Sequence, residues 1–167
     1  MIAFEEYVAL YSHELSRFCL KLCQNREDAE DLFQETWTRA LKAFSRYQEE
    51  KPFRPWLFSI CVNIYKNSLK YGYHARRHTF SSKEEEQLFF EHIPHIDRDL
   101  DSYLDLSRAI ATLSKKHQVV ITLYYFKDFT LKEIAQILHI PEGTVSSRLN
   151  TAKKLLKRRL SDEPDDR

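Results

Sequence analysis

The sequence predicts an all-α protein of two small helical domains joined by an acidic linker, and three observations support this. The chain of 167 residues has only two glycines and five prolines, so tight hairpin turns and glycine-rich phosphate loops have few residues to form from. Apolar residues recur three and four positions apart over long stretches, which is the period of an amphipathic helix. The net charge of successive segments also alternates in sign along the chain, which indicates a division into domains and a linker.

The charge pattern helps to place the boundaries of the two domains and the linker. Residues 51–78 hold six basic and no acidic residues, residues 79–105 hold two basic and eight acidic, and residues 106–161 hold eleven basic and three acidic. Two basic zones separated by an acidic segment indicate two contacts with a polyanion. The predicted boundaries are a first domain over 1–72, a linker over 73–105, a second domain over 106–160 and an acidic tail over 161–167.

Three helices are predicted in the first domain. The apolar positions of the first are Phe4, Tyr7, Val8, Tyr11, Leu15, Phe18, Cys19 and Leu22. Asn25 is expected to cap the second. Its apolar stripe is Ala29, Leu32, Phe33, Thr36, Trp37, Ala40, Leu41 and Phe44. The third is expected to start near Pro55 and to end before Gly72. Its buried positions are Leu57, Ile60, Cys61 and Ile64.

The exposed faces of these helices carry the candidate functions. The second helix presents Asp31, Gln34 and Glu35 outward. Around the third helix, aromatic residues alternate with cations, as single-stranded nucleic acid requires for base stacking and backbone contact. We assign Trp56 to the core. Tyr47, Asn63 and Asn67 are candidates for a pocket that holds an extruded base, since a ring can stack on the base and amides can read its edge.

The second domain is predicted to be a helix-turn-helix. One short helix is expected in the linker around 85–92, and a helical unit begins near Leu106 and breaks at Asp128. Thr130 and Glu133 have the spacing of a capping box. After a turn at His139, Pro141 is expected at the first position of the final helix. That helix is predicted to bury Val145, Leu149, Ala152, Leu156 and Leu160.

The outward face of the final helix has the character of a DNA-reading surface. Ser147, Asn150, Thr151 and Lys154 point away from the buried stripe, flanked by Ser146, Lys153 and Lys157. Hydroxyls and an amide can contact base edges in a major groove. The basic residues that can contact phosphates are Arg148, Lys153, Lys154, Lys157, Arg158 and Arg159.

Metal and enzyme chemistry are weighed against these interpretations. Cys19 and Cys23 lie one helical turn apart and could hold a metal with His13, but small core residues are the favoured interpretation of this spacing. Asp31 and Glu35 could form a metal pair, yet no histidine joins them and no nucleophile is paired with a base. We predict no metal, no cofactor, no small-molecule substrate and no enzyme activity. The odd cysteine count and the lack of a secretory signal predict a cytoplasmic protein.

Three ordered motifs resemble one family across nearly the whole chain. They are "DAEDLFQETWTRAL", "FRPWLFSICVNIYKNSLK" and "TLKEIAQILHIPEGTVSSRL". Together they resemble the bacterial sigma factors of the extracytoplasmic-function (ECF) group. The resemblance implies a factor that binds core RNA polymerase and promoter DNA, and that is usually controlled by an anti-sigma factor, often membrane-bound. It also implies that the acidic linker threads the polymerase channel as an imitation of nucleic acid.

The resemblance implies a role for each candidate surface. Asp31, Gln34 and Glu35 match the positions that dock on the clamp of the polymerase largest subunit. The minus-ten recognition and melting surface is matched by Tyr47, Asn63, Lys66, Asn67 and Lys70. The helix that reads the minus-thirty-five element is matched by Thr144, Ser146, Ser147, Arg148, Asn150, Thr151 and Lys154. The alternative is a helix-turn-helix regulator that binds duplex DNA as a dimer and does not enter polymerase.

Overall fold

A computed structural model describes residues 2–23, 25–70 and 100–161 of the chain. Every regular element in these ranges is helical, so the all-α prediction is confirmed. The expected short helix at 85–92 and the acidic residues 162–167 lie outside the described residues. The described helices form two compact units, the first mostly from the three N-terminal helices and the second mostly from the four C-terminal ones.

The N-terminal unit is a three-helix assembly. Its helices are α1 (Phe4–Leu22), α2 (Arg26–Ala43) and α3 (Phe53–Lys70), with a 3-10 turn after α2 (Phe44–Arg46). Asn25 caps α2 as predicted, because its side-chain oxygen accepts the backbone N–H of Asp28 at 2.8 Å. The largest fully buried side chains of this unit are Leu15, Phe18, Leu22, Leu57, Phe58 and Val62.

Contacts between α1 and α3 join residues that are far apart in sequence. The rings of Phe18 and Phe58 lie 4.9 Å apart between centroids. The thiols of Cys19 and Cys61 are both buried, with their sulfur atoms 3.8 Å apart. Cys19 therefore packs as a small core residue beside a cysteine of another helix.

The same two helices are also joined by an ion pair. The guanidinium of Arg54 donates from Nε to both carboxylate oxygens of Glu14, at 2.9 and 3.1 Å, and Nη2 also donates to Glu14. Both side chains are half-buried. The sequence placed Arg54 in a basic zone expected to bind nucleic acid. In the structure its side chain instead joins α3 to α1 within the unit.

Three details of this unit differ from the prediction. Leu41 was expected in the buried stripe of α2 but is 58% exposed. The third helix begins at Phe53 instead of near Pro55. It also buries Val62 and Tyr65, because α3 packs against two helices and its buried arc is wider than a single stripe.

The C-terminal unit contains the predicted helix-turn-helix. Its helices are α4 (Leu100–Ala111), α5 (Lys115–Ile121), α6 (Leu131–Leu138) and α7 (Glu142–Leu160). Both α4 and α5 pack against α7. The first of these helices begins at Leu100, inside the segment that the sequence assigned to the linker. A π-helical turn (Thr122–Phe126) extends α5, which the sequence did not predict.

The turns of this unit fall where the sequence placed them. Asp128 and His139 have φ values of 55° and 54°, in the left-handed region that ends a regular helix. The capping box of α6 is confirmed by two hydrogen bonds, from the Thr130 N–H to the Glu133 carboxylate at 2.8 Å and from the Glu133 N–H to the Thr130 hydroxyl at 3.1 Å.

Two predictions about α7 are wrong. Pro141 is the N-cap residue instead of the first helical residue, and its carbonyl accepts the N–H groups of Thr144 and Val145. Leu160, which was predicted to be buried, is 49% exposed. In the part of the chain that the structure describes, no helix is both long enough and apolar enough to cross a membrane.

Candidate functional site

The outer face of α2 is polar and solvent-exposed. Asp31, Gln34 and Glu35 are all exposed, because Leu32, Thr36 and other small or apolar residues hold the opposite face in the core. Exposed carboxylate and amide oxygens in one row can accept hydrogen bonds from arginine side chains of a partner. We call these three residues the α2 surface.

One acid of the α2 surface is partly neutralised within the helix. Arg39 donates from Nε to the Glu35 carboxylate at 2.6 Å, one turn away. A second exposed pair of the same spacing joins Arg26 and Glu30 at 2.8 Å.

Where residues are described, no group of three or more histidine, cysteine or acidic side chains lies close enough to hold a metal ion.

The amides predicted on α3 share one face. Asn63 and Asn67 lie one turn apart and are both exposed, and Lys66 between them is half-exposed. Lys70 is the last residue of α3. Amide groups offer both donors and acceptors, which is what reading the edge of an unpaired base requires.

Tyr47 belongs to an aromatic cluster and is not an isolated stacking residue. Its ring centroid lies 4.9 Å from that of Trp56 and 5.3 Å from that of Phe53, and its hydroxyl donates to the carbonyl of Lys51. Burial, followed by the nearby phenol of Tyr7, raises the pKa of Tyr47 to about 12. The cluster consists of Phe4, Tyr7, Tyr11, Trp37, Phe44, Tyr47, Phe53 and Trp56.

Trp56 is another residue that the sequence assigned wrongly to the core. It is half-exposed, at the end of the aromatic cluster next to Tyr47. Trp56 and Asn63 are seven residues apart on α3, so they lie on one face about 10 Å apart along the helix axis. The seven-residue spacing could have shown from the sequence that Trp56 lies on the same face of α3 as Asn63. We call Tyr47, Trp56, Asn63, Lys66 and Asn67 the α3 surface.

On α7 the predicted division into two faces is observed. Val145, Leu149, Ala152 and Leu156 are buried. The exposed residues are Ser147, Asn150, Thr151 and Lys154, and the half-exposed ones are Thr144, Ser146 and Arg148. We call these seven residues the α7 surface. A Cβ added to Gly143 would meet no atom within 4 Å, so this glycine leaves open space at the start of the helix.

The π-helical turn contacts one of the basic side chains of α7. The ammonium of Lys153 lies 5.7 Å from the ring centroid of Tyr124 and 5.6 Å from that of Tyr125, both in the π-helical turn. A hydrogen bond from this ammonium to Tyr125 raises the pKa of Lys153. This contact was not predicted, because both rings belong to a π-helical turn that the sequence does not indicate.

The start of α5 also lies close to the α7 surface. Burial, followed by the charges of Lys116 and Arg148, lowers the pKa of His117. His117 Nδ1 lies 2.7 Å from the hydroxyl of Ser114. Lys116 and Arg148 thus place positive charge near His117, which suits contact with phosphates.

Two family models match the chain at the two units. The model described as sigma-70 region 2 matches residues 7–76, and the model described as sigma-70, region 4 matches residues 103–156. Their order along the chain is that of the surfaces described above. The chain belongs to the sigma-70 family.

Similar proteins agree with this assignment. This sigma factor is 31% identical over 157 residues to the ECF RNA polymerase sigma factor SigL of Mycobacterium tuberculosis, which covers 92% of the chain and 84% of SigL. It is 27% identical over 169 residues to the ECF RNA polymerase sigma factor SigW of Bacillus subtilis, with 96% and 90% coverage. It is thus a transcription-initiation factor of the ECF group, which directs promoter-specific transcription.

Two solved structures share the fold of this sigma factor. One is the sigma factor RpoE in complex with the anti-sigma factor NepR from Bartonella quintana, with a TM-score of 0.76, 24% identity and 98% coverage of both chains. The other is CnrH in complex with the cytosolic domain of CnrY, with a TM-score of 0.71, 20% identity, and coverage of 96% of this chain and 89% of CnrH.

Proposed function

We propose that this sigma factor docks on core RNA polymerase through the α2 surface, reads the minus-ten element and holds melted bases through the α3 surface, and reads the minus-thirty-five element through the α7 surface. Lys70 belongs with the α3 surface in this assignment. The protein has no catalysis of its own and acts in the cytoplasm, where it meets polymerase and DNA. In this assignment the N-terminal unit carries the α2 and α3 surfaces, and the C-terminal unit carries the α7 surface.

The observation that supports this proposal most is the chemistry of the three surfaces. The α2 surface is acidic and suits a basic protein partner. The α3 surface joins exposed amides to an aromatic pair, which suits unstacked bases. The α7 surface has small polar groups at the start of a helix that ends in cations, which suits a major groove flanked by phosphates.

An anti-sigma factor is the third proposed partner. RpoE is held by NepR in its solved complex, and its fold matches this chain over nearly the full length. We infer that a protein of this class, soluble or membrane-bound, covers surfaces of this chain and keeps it from polymerase.

Run-off transcription with purified core polymerase tests the proposal. A sigma factor gives promoter-dependent transcripts when only core enzyme and template are added. A helix-turn-helix regulator would bind the duplex but would give no transcript without another sigma factor. Promoters for the template can be found by sequencing the transcripts induced on overexpression.

A further inference from the structure

The C-terminal end of α7 has more positive charge than the unit neutralises. Lys153, Lys154, Lys157, Arg158 and Arg159 are all exposed, and no acidic residue occurs between Gly143 and Leu160. Within the described ranges, none of these five cations forms an ion pair. This surface is therefore available to an anionic partner.

The sequence supplies an anionic segment directly after this surface. Residues 162–167 contain four acidic residues and one basic residue, and only Leu160 and Ser161 separate them from the last cation of α7. These acids lie outside the described residues.

Ser161 is the residue at which the described part of the C-terminal unit ends. Ser161 has αR backbone angles and its N–H donates to the carbonyl of Lys157 at 3.1 Å, so the helical path continues to this residue. At 100° per residue, Ser161 lies within about 20° of Lys154 and about 40° of Ser147 around the helix axis. Ser161, from which the acidic segment continues in sequence, therefore lies on the side of the α7 surface.

The cations of the last turns of α7 lie close to the start of the acidic segment. Three or four extended residues span roughly 10 to 14 Å, and the chain must also reverse direction after Ser161 to run back along the helix. Measured along the axis from Ser161, Lys154 is about 10 Å away and Ser147 about 21 Å away. Acidic side chains of the segment can thus reach the cations of the last turns, as far as Lys154.

We propose that residues 162–167 dock on the exposed face of α7 and compete with promoter DNA for it. The carboxylates take the positions of phosphates, and DNA must displace them before α7 enters the groove. Because each exposed ion pair is weak but the segment is tethered at high local concentration, we expect about a three- to tenfold loss of duplex affinity. The competition with DNA rests on the proposed role of α7, whereas the docking does not.

The test uses the full chain with the four acids neutralised by Asp162→Asn, Glu163→Gln, Asp165→Asn and Asp166→Asn. The matched control neutralises four exposed acids of the N-terminal unit, by Glu5→Gln, Glu6→Gln, Glu49→Gln and Glu50→Gln, and so makes the same change in net charge. Amide chemical shifts are measured by NMR without DNA, and affinity is measured for a duplex DNA pool of randomised sequence.

We expect the tail variant to shift the amides of Lys153, Lys154 and Lys157, and to bind the duplex pool about three- to tenfold more tightly than the parent. The control variant should do neither. Shifts confined to Arg159–Ser161 would overturn the docking, and so would equal gains in affinity in both variants. If no variant binds duplex DNA but the shifts at α7 occur, the docking stands and the proposed function of α7 fails.

Discussion

At the residue scale, the α7 surface is built from short side chains. Ser146 is half-exposed and Thr151 is exposed. Short hydroxyl side chains contact bases only at close range, and they add no attraction to phosphates. In the proposed role of α7, discrimination at these positions therefore depends on how closely the helix enters the groove.

Glu35 is the residue whose replacement tests the α2 surface. We expect Glu35→Lys to reduce binding to core polymerase at least tenfold, because it reverses a charge that faces a basic partner. Glu30→Lys is the control, since it removes the equivalent ion pair to Arg26 at the edge of the surface. Circular dichroism should show both variants folded, and unchanged core affinity for Glu35→Lys would contradict the assignment.

Asn63 tests the capture of an unpaired base. We expect Asn63→Ala to weaken binding to a promoter with a pre-melted minus-ten region by on the order of tenfold, because a base edge loses its hydrogen-bond partner. Binding to a duplex that contains only the minus-thirty-five region should not change. Equal losses on both DNAs would show that Asn63 acts through folding instead.

Tyr47 gives the chain a specific response to alkaline pH. The pKa of its phenol is raised from 10.0 to about 12 in the folded state, so the folded chain holds this proton more tightly than the unfolded chain does. The stability from this difference is complete below pH 10 and is lost as the pH rises from 10 toward 12. We expect Tyr47→Phe to flatten the loss of stability over this range, as measured by urea unfolding at several pH values. A slope identical to the parent's would contradict the prediction.

At the element scale, α1 and α3 are joined by the ion pair of Glu14 and Arg54. The pair is bidentate and half-buried, so it is expected to contribute more than an exposed pair with a single hydrogen bond. A double-mutant cycle with Glu14→Gln and Arg54→Gln should give a coupling energy of about 1 kcal/mol in urea unfolding. The exposed Arg26 and Glu30 pair is the matched comparison and should give about 0.5 kcal/mol or less. Equal coupling energies in the two pairs would contradict the expectation that the half-buried, bidentate pair contributes more to stability.

Features set by neighbours in sequence were predictable at this scale. The stripe of α1, the Asn25 cap and the capping box at Thr130 depend on residues within a few positions of one another, and each is observed. The exposure of Leu41 was not predictable, because it depends on where the covering helices end.

Parts of the candidate site were harder to predict, for a related reason. Asn63 and Asn67 were placed correctly on an exposed face, since a helical face follows from spacing alone. The side-chain environment of Tyr47 was not, because its ring packs against Tyr7 from α1 and Trp56 from α3. The contact of Lys153 with Tyr125 required a π-helical turn, which leaves no simple pattern in the sequence.

At the scale of the whole molecule, the alternation of charge predicts a strong dependence on salt. Each phosphate contact releases a counterion, so the affinity for duplex DNA should fall steeply as salt increases. We expect Lys154→Gln and Lys157→Gln each to lower the slope of log affinity against log salt by about one. Lys42→Gln, an exposed change in the N-terminal unit, should leave the slope unchanged. A slope that is insensitive to the α7 changes would place the duplex contact elsewhere.

The aromatic cluster has an optical consequence for the whole chain. The chain has two tryptophans, and both belong to this cluster, where Phe53 lies within 6.4 Å of Trp37 and 5.2 Å of Trp56 between ring centroids. Intrinsic tryptophan fluorescence therefore reports on the N-terminal unit and is silent for the C-terminal one. With the proposed role of the α3 surface, stopped-flow fluorescence of the unlabelled protein would follow the binding of melted DNA beside Trp56 without a signal from α7.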